Sequence, residues 1–293
     1  MKILENTSLF FIVAIVLGLL VPQLSGLTSG YILLFFIIAT TFSLSHITLS
    51  RSDVRTGLSS SLKAVALSYG LLSVFIIAVA YIFVPGTDYF AGFVILASAP
   101  PAVAVIAFTY LLRGDEKRTL GGEVLNYVLA LAFAPLITFI FLGSAVSVFE
   151  ILKVLFLIII VPLGLSRLAN RYYKSGIGIQ KLLVNICFAL INYSIVGLNS
   201  AAILADPVSL GPVLAVNFLT VFVPGTAVFV LMRKFCADKG KCISYALFAA
   251  FKNGGMSATL ALLLISPTAS LPGALHGPFT IGFFMFLEYM TRR

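Results

Sequence analysis

Ten apolar windows, each about 20 residues long, follow one another through this chain, and they restrict its fold more than any other feature. They lie near residues 7–25, 31–49, 61–84, 89–112, 119–144, 149–169, 179–204, 210–232, 242–266 and 271–290. A helix needs roughly 20 apolar residues to cross the hydrocarbon core of a bilayer, so each window can supply one crossing. The composition agrees: 60% of the residues are hydrophobic and 10% charged, with a mean hydropathy of +1.13. A soluble domain carries roughly 25% charged residues and could not hide this much apolar surface. The chain is expected to be an all-α polytopic membrane protein whose first partner is the lipid bilayer. Its opening segment is expected to be a membrane helix rather than a signal peptide, because Glu5 sits where a basic region belongs and similar runs follow.

The charges give an independent test of the count, since cytoplasmic loops collect Lys and Arg. With both termini on one side, that side receives every basic residue of the 19 except Lys153 and Lys252. Ten spans with N and C termini in the cytoplasm of a multi-pass cell-membrane protein satisfy this pattern. The formal charge of +9 is then a topology signal and not a sign of nucleic-acid binding. Ten spans divide into two sets of five, residues 1–145 and 146–293, and odd-numbered halves insert with opposite orientation. This arithmetic predicts an inverted repeat, which in transporters places the solute between two interrupted helices.

Interruptions occur in the fourth span of each half. The first half has ASAPPAVAV, where Pro100 and Pro101 remove two backbone donors. The second has AAFKNGGMSATLALLL, where Lys252 and Asn253 precede the pair Gly254 and Gly255. Broken helices expose backbone groups and dipole ends at mid-membrane, where they can hold a small charged solute. An unpaired ammonium there costs roughly 3 kcal/mol, so Lys252 is expected to have a partner or a wet cavity, unless it snorkels to the cytoplasmic interface. Neither a metal nor a cofactor is called for. The spans contain no paired aspartates, His-rich cluster or Ser-His dyad, so no enzyme chemistry is expected. Cys236 and Cys242 flank ADKGK and read as a reduced cytosolic pair.

SAPPAVAVIAFTYLLRGD, residues 98–115, resembles the fourth-span signature of the bile acid:sodium symporter family, with Pro100, Thr109, Tyr110, Leu111, Arg113 and Gly114 in register. FKNGGMSATLAL resembles that family's ninth span through Asn253 and Gly255, and GALHGPFTIG resembles its tenth through His276. The resemblance implies a panel domain packed on a core domain, in which discontinuous helices 4 and 9 cross. It also implies secondary transport of organic anions such as bile acids or pantoate, usually driven by sodium. A small organic anion is therefore the expected partner, with Val103, Asn253, Gly254, Gly255 and His276 as expected contacts.

The chain departs from that family where sodium binds. In the same register the Ser-Asn pair falls on Val105 and Ile106, the shared glutamate on Phe248 and the glutamine on Lys252, whereas a hard cation needs oxygen ligands. A sodium-binding threonine of the fifth span falls on Glu123, whose spacing places it on one helical face with Thr119, Asn126 and Tyr127. The expectation is that the ammonium of Lys252 takes the place of sodium and pairs with Glu123, although Glu123 could instead pair with Lys117 or Arg118. Transport would then be sodium-independent. Proton coupling through Lys252 and Glu123, or a receptor that has kept the fold without turnover, are the alternatives.

Overall fold

The computed structural model describes residues 7–45, 58–143, 146–172 and 177–292. Lys2, Arg51, Arg55, Lys174 and Arg293 of the charge argument, and the expected boundary at residue 145, lie outside the described residues. Within these limits the chain is helical, with no strand among the described residues.

The first window gives helix α1 (Thr7–Leu20), which turns by 91° into Pro22–Ser29, including α2 (Ser25–Ser29). Helix α3 (Ile32–Ser45) follows. Then α4 (Leu58–Val65) runs through a π-helical turn, Ala66–Leu72, into α5 (Ser73–Phe83). The fourth window is two helices, α6 (Asp88–Ser98) and α7 (Ala104–Leu111), and the fifth is the long α8 (Glu116–Leu142). In the second half, α9 (Val148–Leu155) and α10 (Val161–Tyr172) flank a second π-helical turn, and α11 (Ile177–Ala205) and α12 (Gly211–Phe235) are unbroken. The ninth window is again two helices, α13 (Lys239–Phe248) and α14 (Gly254–Leu264), and α15 (Pro267–Arg292) ends the chain.

Side chains start many of these helices. The oxygens of Thr87, Asp115, Asp238 and Asn253 accept from the backbone N–H groups of Phe90, Arg118, Lys241 and Met256, satisfying donors that have no partner in a helix's first turn.

Among the described residues, six helices are long and apolar enough to cross a membrane, or seven when the bent first pair is taken as one span. This is fewer than the ten windows. Helix α3 is described only as far as Ser45, and the fourth and ninth windows are each divided, so α6 and α14 are only 11 residues long.

The helices pack as two layers. In one, α1 and α3 lie against α11, and α3 also lies against α10. In the other, α4 packs on α8, α6 on α5, α8 and α15, α12 on α5, α13 and α15, and α14 on α15. The layers meet through α11 on α15 and α3 on α14. Their seam is a buried apolar cluster that includes Ile32, Phe36, Ile191, Ile195, Met256 and Leu260.

Candidate functional site

The two helix breaks meet inside the second layer. Residues 99–103 are unwound because Pro100 and Pro101 lack N–H groups, and Ala99 adopts the extended ψ of 151° that a following proline favours. Residues 249–253 are unwound opposite them, and the backbone N–H of Asn253 donates to Pro100 O at 2.8 Å. Gly254 and Gly255 therefore open helix α14 rather than forming the break. Gly254 is small for a packing reason, since a Cβ there would lie 2.5 Å from Gly273 O on α15.

Lys252 is 1% exposed, so it does not snorkel. Its Nζ donates to Ala99 O at 2.9 Å and to Ser68 Oγ at 3.1 Å, and it lies 4.1 Å from the centre of the Tyr69 ring. The carbonyl of Ala99 belongs to the C-terminal end of α6, where the helix dipole attracts a cation. Ser73 supports the same end by donating to Ala97 O at 2.6 Å. Ser68 and Tyr69 lie in the π-helical turn, which widens the helix there.

The expected ion pair with Glu123 is not formed. Glu123 is 3% exposed, and among the described residues it makes no salt bridge within 4 Å and neither of its carboxylate oxygens has a hydrogen-bond donor. The alternative partner Arg118 is bonded to Asp115 at 3.0 Å and to the hydroxyl of Tyr245 at 2.7 Å. Neutral acceptors satisfy the ammonium where an acid was expected, because the broken helix already offers a free carbonyl at its end. The other residues on that face of α8 have separate partners: Thr119 meets Thr109 at 3.1 Å, Asn126 donates to Gly122 O at 2.8 Å, and the Tyr127 hydroxyl accepts from Asn253 Nδ2 at 3.0 Å.

His276 has both ring nitrogens engaged. Nε2 accepts from the backbone N–H of Lys252 at 3.4 Å, so Nδ1 carries the proton and donates to Asn217 Oδ1 at 3.0 Å. Asn217 in turn donates to Pro272 O at 3.3 Å. The histidine thus ties the second break to α12 and α15.

A cavity of about 740 Å³ lies between the two layers beside the crossing, within the range common for small-molecule sites. Val103, Lys252, Asn253, Gly254, Gly255 and His276 all line it. Phe11, Phe36 and Phe188 form apolar wall on the opposite layer, and the cavity reaches the surface at the exposed residues Tyr110 and Glu116. Asn192 also lines it, and its Oδ1 is buried without a partner among the described residues. Val105 and Phe248, at the expected sodium-ligand positions, are fully buried among apolar side chains, and a Cβ on Gly122 would touch the Phe248 ring.

The sequence model of the Sodium Bile acid symporter family matches residues 31–205, more than half of the 293 residues. The chain belongs to that family. With its apolar helices, membership makes it an integral membrane protein of the symporter-like transporter class. The matched stretch contains the first break and Glu123, whereas Lys252, Asn253 and His276 lie beyond its end. No curated protein matches the chain. The three cysteines are free.

Proposed function

We propose that the chain is a sodium-independent secondary transporter of a small organic anion, in which the ammonium of Lys252 stands where a coupling sodium ion would otherwise hold the crossing together. The environment of Nζ carries this reading. A carbonyl and a hydroxyl oxygen are the ligand types of an alkali ion, and here they surround a cation that cannot leave. The ten apolar windows are then ten spans in two inverted halves, residues 1–145 and 146–293, with both termini cytoplasmic. The layer of α1, α3, α10 and α11 is the panel, and the other layer is the core. The large cavity is the solute site in an inward-open state, closed on the far side by the apolar seam. An anion there would face the N-terminal ends of α7 and α14, with Asn253, Val103 and the glycine backbone as contacts. Alternating access would come from the core rocking against the panel.

The test is uptake of labelled taurocholate and pantoate into vesicles that contain the purified protein, with sodium or proton gradients imposed separately. Uptake should be unchanged when choline replaces sodium; strict sodium dependence would overturn the reading. The unpartnered carboxylate of Glu123 favours one second reading, in which this residue carries a proton through the cycle, and a response to the proton gradient would support it. Binding of either probe without flux would indicate a receptor or sensor on the same fold.

A further inference from the structure

The turn between α12 and α13 brings two thiols to one point. Cys236 Sγ lies 3.8 Å from Asp238 O and Cys242 Sγ lies 3.3 Å from the same oxygen, so the two sulfurs are no farther apart than the sum of those distances. Cys242 Sγ is also 3.8 Å from the carbonyl oxygen of Cys236. Cys242 belongs to a buried apolar cluster and Cys236 packs against that cluster, so both side chains face the same side of the turn. Their exposures differ: Cys242 is buried in the first turn of α13, whereas Cys236 is partly exposed. The pair sits in a basic stretch, RKFCADKGKC. Lys241 is paired with Asp238 at 3.1 Å and Lys239 donates to the carbonyl of Thr291, while Arg233 and Lys234 form no ion pair among the described residues. Nearby cations favour the thiolate, which is the nucleophile of thiol–disulfide exchange, and partial exposure admits a reagent.

We propose that Cys236 and Cys242 form a reversible modification site, at which an anionic disulfide such as glutathione disulfide converts the two thiols into one intramolecular disulfide. The Cys236 thiolate attacks one sulfur of the oxidant, forming a mixed disulfide and releasing one glutathione thiolate. The Cys242 thiolate then attacks the Cys236 sulfur, forming the internal bond and releasing the second. Two protein thiols are oxidised, one glutathione disulfide is reduced to two thiols, and the protons of the protein thiols pass to the released thiolates. The burial of Cys242 does not hinder the second step, because its attack is intramolecular. Closing the gap between the sulfurs takes rotation of the Cys236 side chain, and Cys236 follows the last turn of α12 in extended backbone, with φ −129° and ψ 119°. The bond ties the end of α12 to the first turn of α13, and α13 leads into the break that carries Lys252. It therefore removes freedom from the turn between them. This site is independent of sodium use and of the transported solute.

The experiment equilibrates the full-length protein in lipid nanodiscs with glutathione buffers of increasing disulfide content, followed by acid quench, alkylation under denaturing conditions and peptide mass mapping. Trypsin cuts after Lys239 and Lys241, between the two cysteines, so their bond joins two peptides that reduction separates. Reduced protein should alkylate at Cys187, Cys236 and Cys242, and oxidised protein at Cys187 alone. Cys242→Ser should stop at the mixed disulfide, with glutathione held on Cys236, and Cys187→Ser should behave as the wild type. The oxidised protein should melt a few degrees higher, and dithiothreitol should reverse both changes. The proposal is overturned by a wild type that retains all three thiols, that accumulates glutathione on Cys236 without the internal bond, or that links Cys187 or two chains instead. An unchanged melting temperature in the linked protein would overturn the tie between α12 and α13. Mapping of the wild type decides the matter even where a variant does not purify.

Discussion

The two helix breaks are built from opposite chemistries, and together they satisfy each other. The break at residues 99–103 is made by two prolines, so it subtracts donors and leaves the carbonyls of Ala99 and Pro100 unused by its own helix. The break at residues 249–253 contains no proline and supplies donors: Lys252 Nζ reaches Ala99 O, and the N–H of Asn253 reaches Pro100 O. A bilayer core offers no water to free backbone groups, so a broken helix survives there only with a partner of this kind. The difference teaches that one break is a passive acceptor surface and the other an active clamp. Substitutions in the clamp should therefore have the larger effects.

Lys252→Met breaks the clamp most directly and should have the largest effect on function, lowering uptake at least about a hundredfold through loss of two charge-assisted hydrogen bonds. Its effect on stability should be small. Each lost bond is worth about 1.5–3 kcal/mol, but removing a buried ammonium that makes no salt bridge to a described residue relieves a desolvation cost of several kcal/mol. Thermal unfolding in detergent beside vesicle uptake checks this separation. A collapsed melting temperature would make the lysine a structural element only. Gly254→Ala should come next, for the reverse reason. Its Cβ would meet Gly273 O at 2.5 Å, and forcing α14 from α15 should cost about 1–3 kcal/mol in the same unfolding assay.

That these two apolar runs are interrupted is legible in the sequence, because paired prolines disturb one and the polar KNGG stretch the other. The partners of Lys252 are not. Ser68 is 184 residues away in sequence, is uncharged, and sits in a π-helical turn that no residue of ALSYGLL announces. A search for a countercharge leads to Glu123, since an acid is the visible complement of an ammonium, whereas the carbonyl at the end of α6 is invisible in any residue name. The glycine pair is misread for a related reason. GG suggests chain breaking, but the need for Gly254 comes from the close approach of Gly273 on another helix, which only tertiary packing reveals. The cavity wall shows the same division: the residues at the breaks are readable, whereas Phe11, Phe36 and Phe188 look like ordinary membrane-helix residues.

Asn253→Ala tests how much of the clamp lies in a side chain. It removes the Oδ1 acceptor for Met256 N–H, a cap worth about 1 kcal/mol. It also removes the donor to Tyr127, and with it the side-chain hydrogen bond between the crossing and α8. Tyr127→Phe should keep the cap and remove only that second bond, so comparing the two variants separates the contributions.

Pro100→Ala should have the smallest effect, and it decides whether the comparison between the breaks is right. The substitution leaves the carbonyls of residues 99 and 100 in place, and these are what Lys252 and Asn253 grip. Its cost should be the lost restriction of the unfolded chain, about 0.4–1 kcal/mol, plus whatever the newly created N–H requires. Pro101 still follows and still discourages helix through the break. If Pro100→Ala costs as much in unfolding as Gly254→Ala, the proline ring rather than the incoming donors holds residues 99–103 open, and the first break is not passive. A small loss would mean that contacts from the other half of the chain maintain it, as the positions of Lys252 Nζ and the Asn253 N–H require.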